Sequence, residues 1–201
     1  MTTAISRAQL FSRGLGGGVA VLVAGSAGAL FAGSAAADAI PDSDLAYARL
    51  LVGAELLAAD FYARAIASKQ FGGEGVADLQ RALFNEREHY QSVAGILTGA
   101  GETPATAADF DFSYPPRSFR SRESIAKLGV LLETTFLGAY LGAVDGLQTA
   151  ALKQPVARIA ASEAEHLSVI TRLSGAEPIG ISFPVVLTID EASNAMDAYA
   201  S

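Results

Sequence analysis

The chain has 201 residues, of which 51% are hydrophobic and 17% are charged. This is enough apolar sequence for one ordinary domain with a tail at either end, and too little charge for a disordered protein. The net charge of −7 argues against nucleic acid as a partner, because phosphate contacts need clustered Lys and Arg. Cysteine is absent, which excludes disulfides, thiolate metal sites and cysteine nucleophiles.

Residues 1–37 predict an export signal. Arg7 and Arg13 precede an uncharged run at 15–33, and a small-residue stretch with an Ala-x-Ala pattern follows. A basic start, an apolar middle and a small-residue end form the layout of a secretory signal peptide. The basic start resembles the twin-arginine export motif, but Ala8 stands in place of the second arginine. We therefore expect a protein exported across the cytoplasmic membrane, into the periplasm, the cell wall or the medium.

A retained membrane anchor is the alternative for this N-terminal segment. Its uncharged run approaches the ~20 residues that a spanning helix needs. In that case the protein would contact a membrane through residues 1–37 only. Under both interpretations the segment lies outside the folded domain.

The first two predicted helices cover about 44–68 and 75–98. Three polar residues are candidates for the N-cap of the first helix, and two glycines are suited to end the second. A loop follows at 103–120, and its two adjacent prolines exclude a helix there. The cap candidates are Asp42, Ser43 and Asp44, the glycines are Gly99 and Gly101, and the prolines are Pro115 and Pro116.

The third predicted helix covers about 121–153, and Pro155 fits the first turn of a fourth helix that ends near Ser174. Short loops within each helix pair predict antiparallel hairpins, and the longer middle loop lets the chain cross between them. In the tail, Thr188 and Glu191 form a capping-box pattern that opens a last short helix packed on the bundle. These elements predict an all-α fold, in which an antiparallel four-helix bundle at 42–175 precedes a C-terminal tail at 176–201.

Four glutamates and two histidines are the candidate ligands of a metal centre. Glu55 and Glu133 each stand alone in apolar helical sequence. A buried lone carboxylate is costly, so it must be protonated, paired or bound to a metal. The second and fourth helices each carry Glu-x-x-His, a spacing that places both side chains on one helix face, where they can bind one ion. These motifs contain the only histidines of the chain and are Glu86-Arg87-Glu88-His89 and Glu163-Ala164-Glu165-His166.

The two halves of the chain repeat this arrangement. The lone glutamates are 78 residues apart and the two motifs are 77 residues apart. Tyr62 and Tyr140 follow Glu55 and Glu133 by seven residues, which is two helical turns, so each lies on the face of its glutamate. Each phenol is therefore placed to donate a hydrogen bond to a ligating carboxylate. The alternative is that both tyrosines are ordinary core residues.

Two Glu helices alternating with two Glu-x-x-His helices resemble the ligand pattern of the ferritin-like di-iron and di-manganese carboxylate proteins, over about 44–174. The resemblance implies a ferritin-like bundle, with a long crossover between helices two and three, around two iron ions or alternatively two manganese ions. It also implies terminal ligands from Glu55, His89, Glu133 and His166, and bridging ligands from Glu86 and Glu163.

The tyrosines are similar to those of bacterioferritin, where an Asp typically precedes the Glu of each motif. Here Asn85 and Ser162 occupy those places, so the residues that support the ligands differ. The export signal and the compact size resemble the secreted ferritin-like domain proteins of bacteria more than the storage ferritins that form cages.

The resemblance implies oxidation of Fe²⁺, or of another small substrate, with O₂ or peroxide as the acceptor. One alternative is a non-enzymatic bundle that binds metal for stability or sequestration. Another is manganese-catalase-like dismutation of peroxide on the same ligands. The sequence is compatible with all three and with a homo-oligomer.

Overall fold

The computed structural model describes residues 39–200, which are all-helical apart from one isolated bridge between Phe112 and Ala200. The export signal predicted for 1–37 lies outside the described residues. The predicted fold class, an all-α bundle with a long crossover and a short C-terminal helix, is confirmed. The helices are α1 Asp42–Ala67, α2 Glu74–Gly99, α3 Arg122–Gly146, α4 Ala150–Leu173 and α5 Ile189–Asp197, and a 3₁₀ turn covers Ala107–Asp109.

The first four helices pack as two hairpins, α1 with α2 and α3 with α4. Across the hairpins, α1 and α3 run antiparallel, because Tyr47 near the start of α1 lies against Gly146 at the end of α3, and Phe61 lies against Gly129. The same holds for α2 and α4, whose opposite ends are joined by an ion pair of 2.6 Å between Asp78 and Arg172.

The crossover between α2 and α3 runs along α1. It begins at Gly101, whose φ of 83° permits the left-handed turn that ends α2. Arg49 of α1 then binds both carboxylate oxygens of Glu102, at 2.9 and 2.6 Å. Further along, the Tyr114 hydroxyl donates to Asp60 at 2.9 Å, near the other end of α1. The chain thereby passes from one end of the bundle to the other before α3 begins.

The break between α3 and α4 lies earlier than the sequence predicted. A single helix was expected over 121–153, with Pro155 in the first turn of the next one. In the structure α3 ends at Gly146 and α4 begins at Ala150, so Pro155 lies inside α4. Gly146 is a local mark of the break that the prediction passed over, and the signal that fixes the turn after it comes from α1.

That signal is Asp44, which is completely buried. Its two carboxylate oxygens accept the backbone N–H groups of Gln148 and Thr149, at 2.9 and 2.8 Å, and so fix the turn that precedes α4. The prediction that Asp42, Ser43 or Asp44 caps α1 was wrong. Pro41 occupies the N-cap position and the cap makes no side-chain hydrogen bond.

The C-terminal segment packs on α3 and α1, as expected. The Leu187 N–H donates to the Gly138 carbonyl at 3.0 Å, in a place where a side chain at 138 would collide with Leu187. The predicted capping box of Thr188 and Glu191 then opens α5. Met196 of α5 is buried in the core, which fixes this helix to the bundle.

Within the described residues, α3 alone is long and apolar enough to span a membrane. Of its most apolar 18-residue window, 61% is buried inside the protein. Leu132, Phe136 and Tyr140 lie in the bundle core. The apolar character of α3 is therefore that of a central core helix.

Candidate metal centre

The six predicted ligands come from four different helices and converge in the interior of the bundle. They form two groups, and within each group one ligand atom from every residue lies within 4.8 Å of the others. Glu86 and Glu163 belong to both groups, which is the arrangement that bridging ligands require. The first group is Glu55, Glu86, His89 and Glu163, and the second is Glu86, Glu133, Glu163 and His166. Their role as metal ligands stays a prediction.

His89 faces three carboxylates through Nδ1. The distances are 3.0 Å to Glu163 Oε1, 3.3 Å to Glu86 Oε2 and 3.6 Å to Glu55 Oε2. The i, i+3 spacing supplies the contact with Glu86, and the bundle supplies the other two. Nδ1 is thus the imidazole nitrogen directed at the carboxylates.

His166 repeats this geometry in the other half. Its Nδ1 lies 2.9 Å from Glu86 Oε1, 3.4 Å from Glu163 Oε2 and 4.0 Å from Glu133 Oε2. The centroids of the two imidazole rings are 5.8 Å apart. The internal repeat of the sequence therefore appears in space as two half-sites that share two glutamates.

Each tyrosine donates to a glutamate of this cluster, but to the one from the opposite half of the chain. Tyr62 donates to Glu133 at 2.5 Å, and Tyr140 donates to Glu55. The antiparallel packing of α1 and α3 explains the exchange, since two turns along one helix lead to the glutamate of the other. The sequence predicts that each phenol lies on the same helix face as the glutamate seven residues before it. It does not show how α1 and α3 are aligned with each other.

Asn85 is a further contact residue of the cluster. Its amide Nδ2 lies 3.1 Å from Nε2 of His166, the ring nitrogen that points away from the carboxylates. A carboxamide can present either its oxygen or its nitrogen, so it suits a ring nitrogen that carries a proton as well as one that does not. The position was recognised in the sequence, but its partner is the histidine of the other motif.

The carboxylates of the cluster are short of donors. All four glutamates are at most 1% exposed. Among the described residues, six buried side-chain nitrogen and oxygen atoms make no regular hydrogen bond, and all six belong to this cluster. Two of these oxygens lie beside a histidine nitrogen instead, Glu163 Oε1 at 3.0 Å and Glu86 Oε1 at 2.9 Å. Buried oxygens without donors are costly unless a cation satisfies them. The atoms are Glu55 Oε2, Glu86 Oε1, Glu133 Oε2, Glu163 Oε1, Glu163 Oε2 and His166 Nδ1.

The pKa values show the same demand for positive charge. Burial raises the pKa of Glu55 and of Glu133 well above the ordinary value, and the nearby carboxylates of Glu86 and Glu163 raise it further. Burial also acts to raise the pKa of Glu86, but hydrogen bonding and charge from His166 and His89 outweigh it and lower the pKa to about 2.

The pKa values of both histidines are raised as well. Burial would lower the pKa of His89, but its contacts with Glu163, Glu55 and Glu86 raise the pKa to about 12. Similarly, Glu163 and Glu86 outweigh burial and raise the pKa of His166 to about 11. The cluster therefore holds protons in place of other positive charge, and divalent ions bound there would displace them.

The profile of the ferritin-like domain family matches residues 43–176. The chain belongs to the ferritin-like family. A comparison with curated proteins finds no significant match.

The donor set of this ferritin-like protein fits metal ions. Eight carboxylate oxygens and two imidazole nitrogens are the hard and intermediate ligands that iron and manganese accept. Glu88 and Glu165, which stand within the two motifs, are exposed and lie off the cluster. Each Glu-x-x-His motif thus contributes its first and last residues only.

Proposed function

We propose that this ferritin-like protein binds two iron or manganese ions and uses them to oxidise Fe²⁺, or another small reductant, with O₂ or peroxide. The observation that carries the proposal is the pair of ligand groups that share Glu86 and Glu163. Two ions held by shared carboxylates can exchange two electrons with one oxidant molecule.

In this proposal Glu55 and His89 would hold one ion, Glu133 and His166 would hold the other, and Glu86 and Glu163, which belong to both groups, would be shared. When bound, the metal pair supplies the redox chemistry and the positive charge that the buried carboxylates lack.

The chain itself orients these ligands and buries them. Tyr62 and Tyr140 are at most 1% exposed, and each hydrogen bond fixes one carboxylate oxygen of Glu133 or Glu55. The second oxygen of each carboxylate, Oε2, lies toward a histidine. Ligands that are held in place by buried hydrogen bonds lower the reorganisation that accompanies a change of metal charge.

The experiment is an anaerobic titration of the protein with Fe²⁺, followed by measured additions of O₂. We expect two Fe²⁺ per chain to be oxidised with stoichiometric consumption of the oxidant. Glu163→Gln should no longer oxidise two Fe²⁺ per chain in this way. Glu165→Gln, which alters the exposed neighbour on the same helix, should still do so. Oxidation no faster than in protein-free buffer would contradict the proposed activity.

A metal-binding protein without turnover is the second candidate function. The burial of four neighbouring carboxylates favours it, because positive charge stabilises them whether or not a reaction follows. Saturable binding of two ions with no oxidation by O₂ or peroxide would establish this candidate. Dismutation of peroxide by the manganese form, with release of O₂, would instead establish catalase chemistry.

We also propose that the protein is exported, on the basis of the basic, apolar and small-residue segments at 1–37. The test is N-terminal sequencing of protein recovered from fractionated producing cells. A mature chain that begins near residue 38 outside the cytoplasmic membrane supports cleavage and export. A full-length chain in the membrane fraction supports the retained anchor, and a full-length soluble chain overturns both.

A further inference from the structure

The two half-sites of the cluster are alike on the side that faces the carboxylates. Glu55 with His89 forms the His89 half-site, and Glu133 with His166 forms the His166 half-site. In both, the histidine Nδ1 lies 4.0 Å or less from three carboxylates, two of which belong to the shared glutamates. The ligand types are therefore the same in both halves, and a difference in metal affinity has to come from the residues behind the ligands.

The far sides of the two imidazole rings differ. Nε2 of His166 lies 3.1 Å from the carboxamide of Asn85, the residue that directly precedes the Glu-x-x-His motif of α2. The equivalent place before Glu163 in α4 holds Ser162, whose side chain is shorter. The hydrogen bonds of the described residues engage His89 through Nδ1 and include none to its Nε2. The ring of His166 is thus held at both nitrogens, whereas the ring of His89 is held at one.

Packing and exposure add to this difference. The ring of Tyr62 meets the ring of His166 edge-on, with centroids 6.1 Å apart. The side chain of His166 is 5% exposed, and that of His89 is 12% exposed. Glu55 lines a cleft of about 460 Å³ between α1, α2 and the crossover, while His166 lines one of about 100 Å³. The His166 half-site is therefore the more enclosed of the two.

A ring that is fixed at its second nitrogen is a better metal ligand. A neutral histidine that binds a metal through Nδ1 carries its proton on Nε2. A hydrogen-bond acceptor at Nε2 fixes the orientation of the ring and raises the basicity of the ligating nitrogen. The carboxamide of Asn85 can accept this proton through its oxygen. The ring of His166 is therefore oriented before an ion arrives, whereas the ring of His89 has to lose motion when an ion binds.

We propose that the two half-sites bind metal unequally, and that the His166 half-site fills first and holds its ion more tightly because Asn85 positions the ring of His166. The His89 half-site then takes the second ion and releases it sooner. Asn85 is a positioning residue, since it acts through His166. The inequality rests on the proposed function, because it concerns the two ions that the shared glutamates would hold.

The order of filling can be followed by ¹⁵N NMR, because the chain has only two histidines. Zn²⁺ is a suitable diamagnetic probe, since imidazole nitrogens and carboxylate oxygens both bind it. Protein labelled with ¹⁵N at histidine is titrated with Zn²⁺, and His89→Gln assigns the signals. We expect the Nδ1 signal of His166 to move with the first equivalent of Zn²⁺ and that of His89 to move with the second.

Asn85→Ala and Ser162→Ala are a matched pair, because the two residues occupy the same place before their motifs. Asn85→Ala should abolish the order of filling. It should also weaken binding of the first Mn²⁺ about tenfold or more, measured by competition with a chelator of known affinity. Ser162→Ala should change neither. Asn85→Asp, which keeps an acceptor for the ring proton, should preserve the order. Equal effects of the two alanine variants, or an unchanged order in Asn85→Ala, would overturn the role of Asn85.

The total number of ions bound separates the unequal half-sites from the metal centre itself. Two ions bound by wild type, with both histidine signals moving in parallel, would leave the di-metal centre in place and overturn the inequality alone. Histidine signals that do not move, together with no uptake of Mn²⁺ or Fe²⁺, would overturn the centre and with it the inequality. Cooperative unfolding of each variant without metal shows that a change in binding does not come from loss of the fold.

Discussion

At the level of single residues, the cluster is built from carboxylates that the fold buries and supplies with few hydrogen-bond donors. Glu55 and Glu133 each retain one hydrogen bond from a tyrosine, and their second oxygens have none among the described residues. The tyrosines are therefore the residues that set the direction of these two carboxylates. Their contribution can be measured separately from that of the ligands.

We expect Tyr140→Phe to keep both metal sites but to weaken the one that contains Glu55. Loss of a residue that orients a ligand typically reduces metal affinity by about 10–100-fold. The measurement is a competition titration of Mn²⁺ against a chelator of known affinity. Tyr90→Phe, whose hydroxyl binds the crossover instead, is the control and should leave the affinity unchanged. If both variants bind Mn²⁺ as wild type does, the phenols do not support the ligands.

Residue scale is also where the sequence was most informative. Six candidate ligands were found because carboxylates in apolar helices and a repeated Glu-x-x-His are rare arrangements with few explanations. The sequence could not predict the hydrogen-bond partners of Tyr62, Tyr140 and Asn85. These partners depend on how helices that are far apart in the chain align with each other. Local spacing determines which residues share a face of a helix, but it does not determine which other helix packs against that face.

At the scale of helices, Asp44 decides where α4 begins. Its carboxylate accepts two backbone N–H groups that lie 104 and 105 residues further along the chain. The sequence placed Asp44 at the start of α1, where an aspartate is ordinarily an N-cap, and missed the break at 147–149. A cap supplied by a distant helix leaves no local signal.

Replacing Asp44 by Ala should destabilise the protein by about 2 kcal/mol, because two buried N–H groups lose their acceptors. The measurement is urea unfolding at neutral pH. Asp42→Ala is the control, since Asp42 is an exposed partner of Arg49 and should contribute at most about 1 kcal/mol. A loss of stability in Asp42→Ala as large as in Asp44→Ala would contradict this role.

The contribution of Asp44 should depend on pH in a defined direction. Burial acts to raise its pKa, but the hydrogen bonds from Gln148 and Thr149 outweigh burial and lower the pKa below 3.8. A lowered pKa stabilises the folded state above the unfolded value, and this stabilisation is lost as the pH falls through the folded pKa. The stability difference between wild type and Asp44→Ala should therefore stay constant near neutrality and shrink below about pH 4.

The glycines of α3 mark where other segments approach closely. A Cβ at 142 would collide with the Leu187 carbonyl. Gly142→Ala should therefore release the C-terminal segment and lower stability, although alanine favours a helix by about 1 kcal/mol. Gly95→Ala in α2 meets no atom within 4 Å and should stabilise. Thermal unfolding and limited proteolysis of the tail test the pair, and stabilisation by both substitutions would contradict this packing.

At the scale of the whole molecule, the candidate centre connects all four helices of the bundle. Each helix contributes at least one ligand, and the two shared glutamates come from α2 and α4. Bound ions would therefore hold the two hairpins together where four buried carboxylates otherwise repel. The fold class followed from the lengths of the helical segments and of the loops between them, because both can be read from the local sequence.

Metal removal should consequently lower the melting temperature. A ligand that binds only the folded state at 100 times its dissociation constant stabilises by about 2.7 kcal/mol. For a chain of this size we expect a decrease of about 5–10 °C when a chelator removes the ions. Calorimetry with and without the chelator measures it. The decrease should vanish in a variant without the shared glutamates.

The number of metal ions that each chain binds tests the di-metal centre most directly. Elemental analysis and anaerobic titration with Mn²⁺ or Fe²⁺ should give two ions per chain for wild type and for Glu88→Gln, the exposed neighbour of the second-helix motif. Glu86→Gln, which alters a ligand shared by both groups, should bind fewer than two. Wild-type protein that takes up neither ion, or Glu86→Gln that still binds two as tightly as wild type, would contradict a di-metal centre at these six residues.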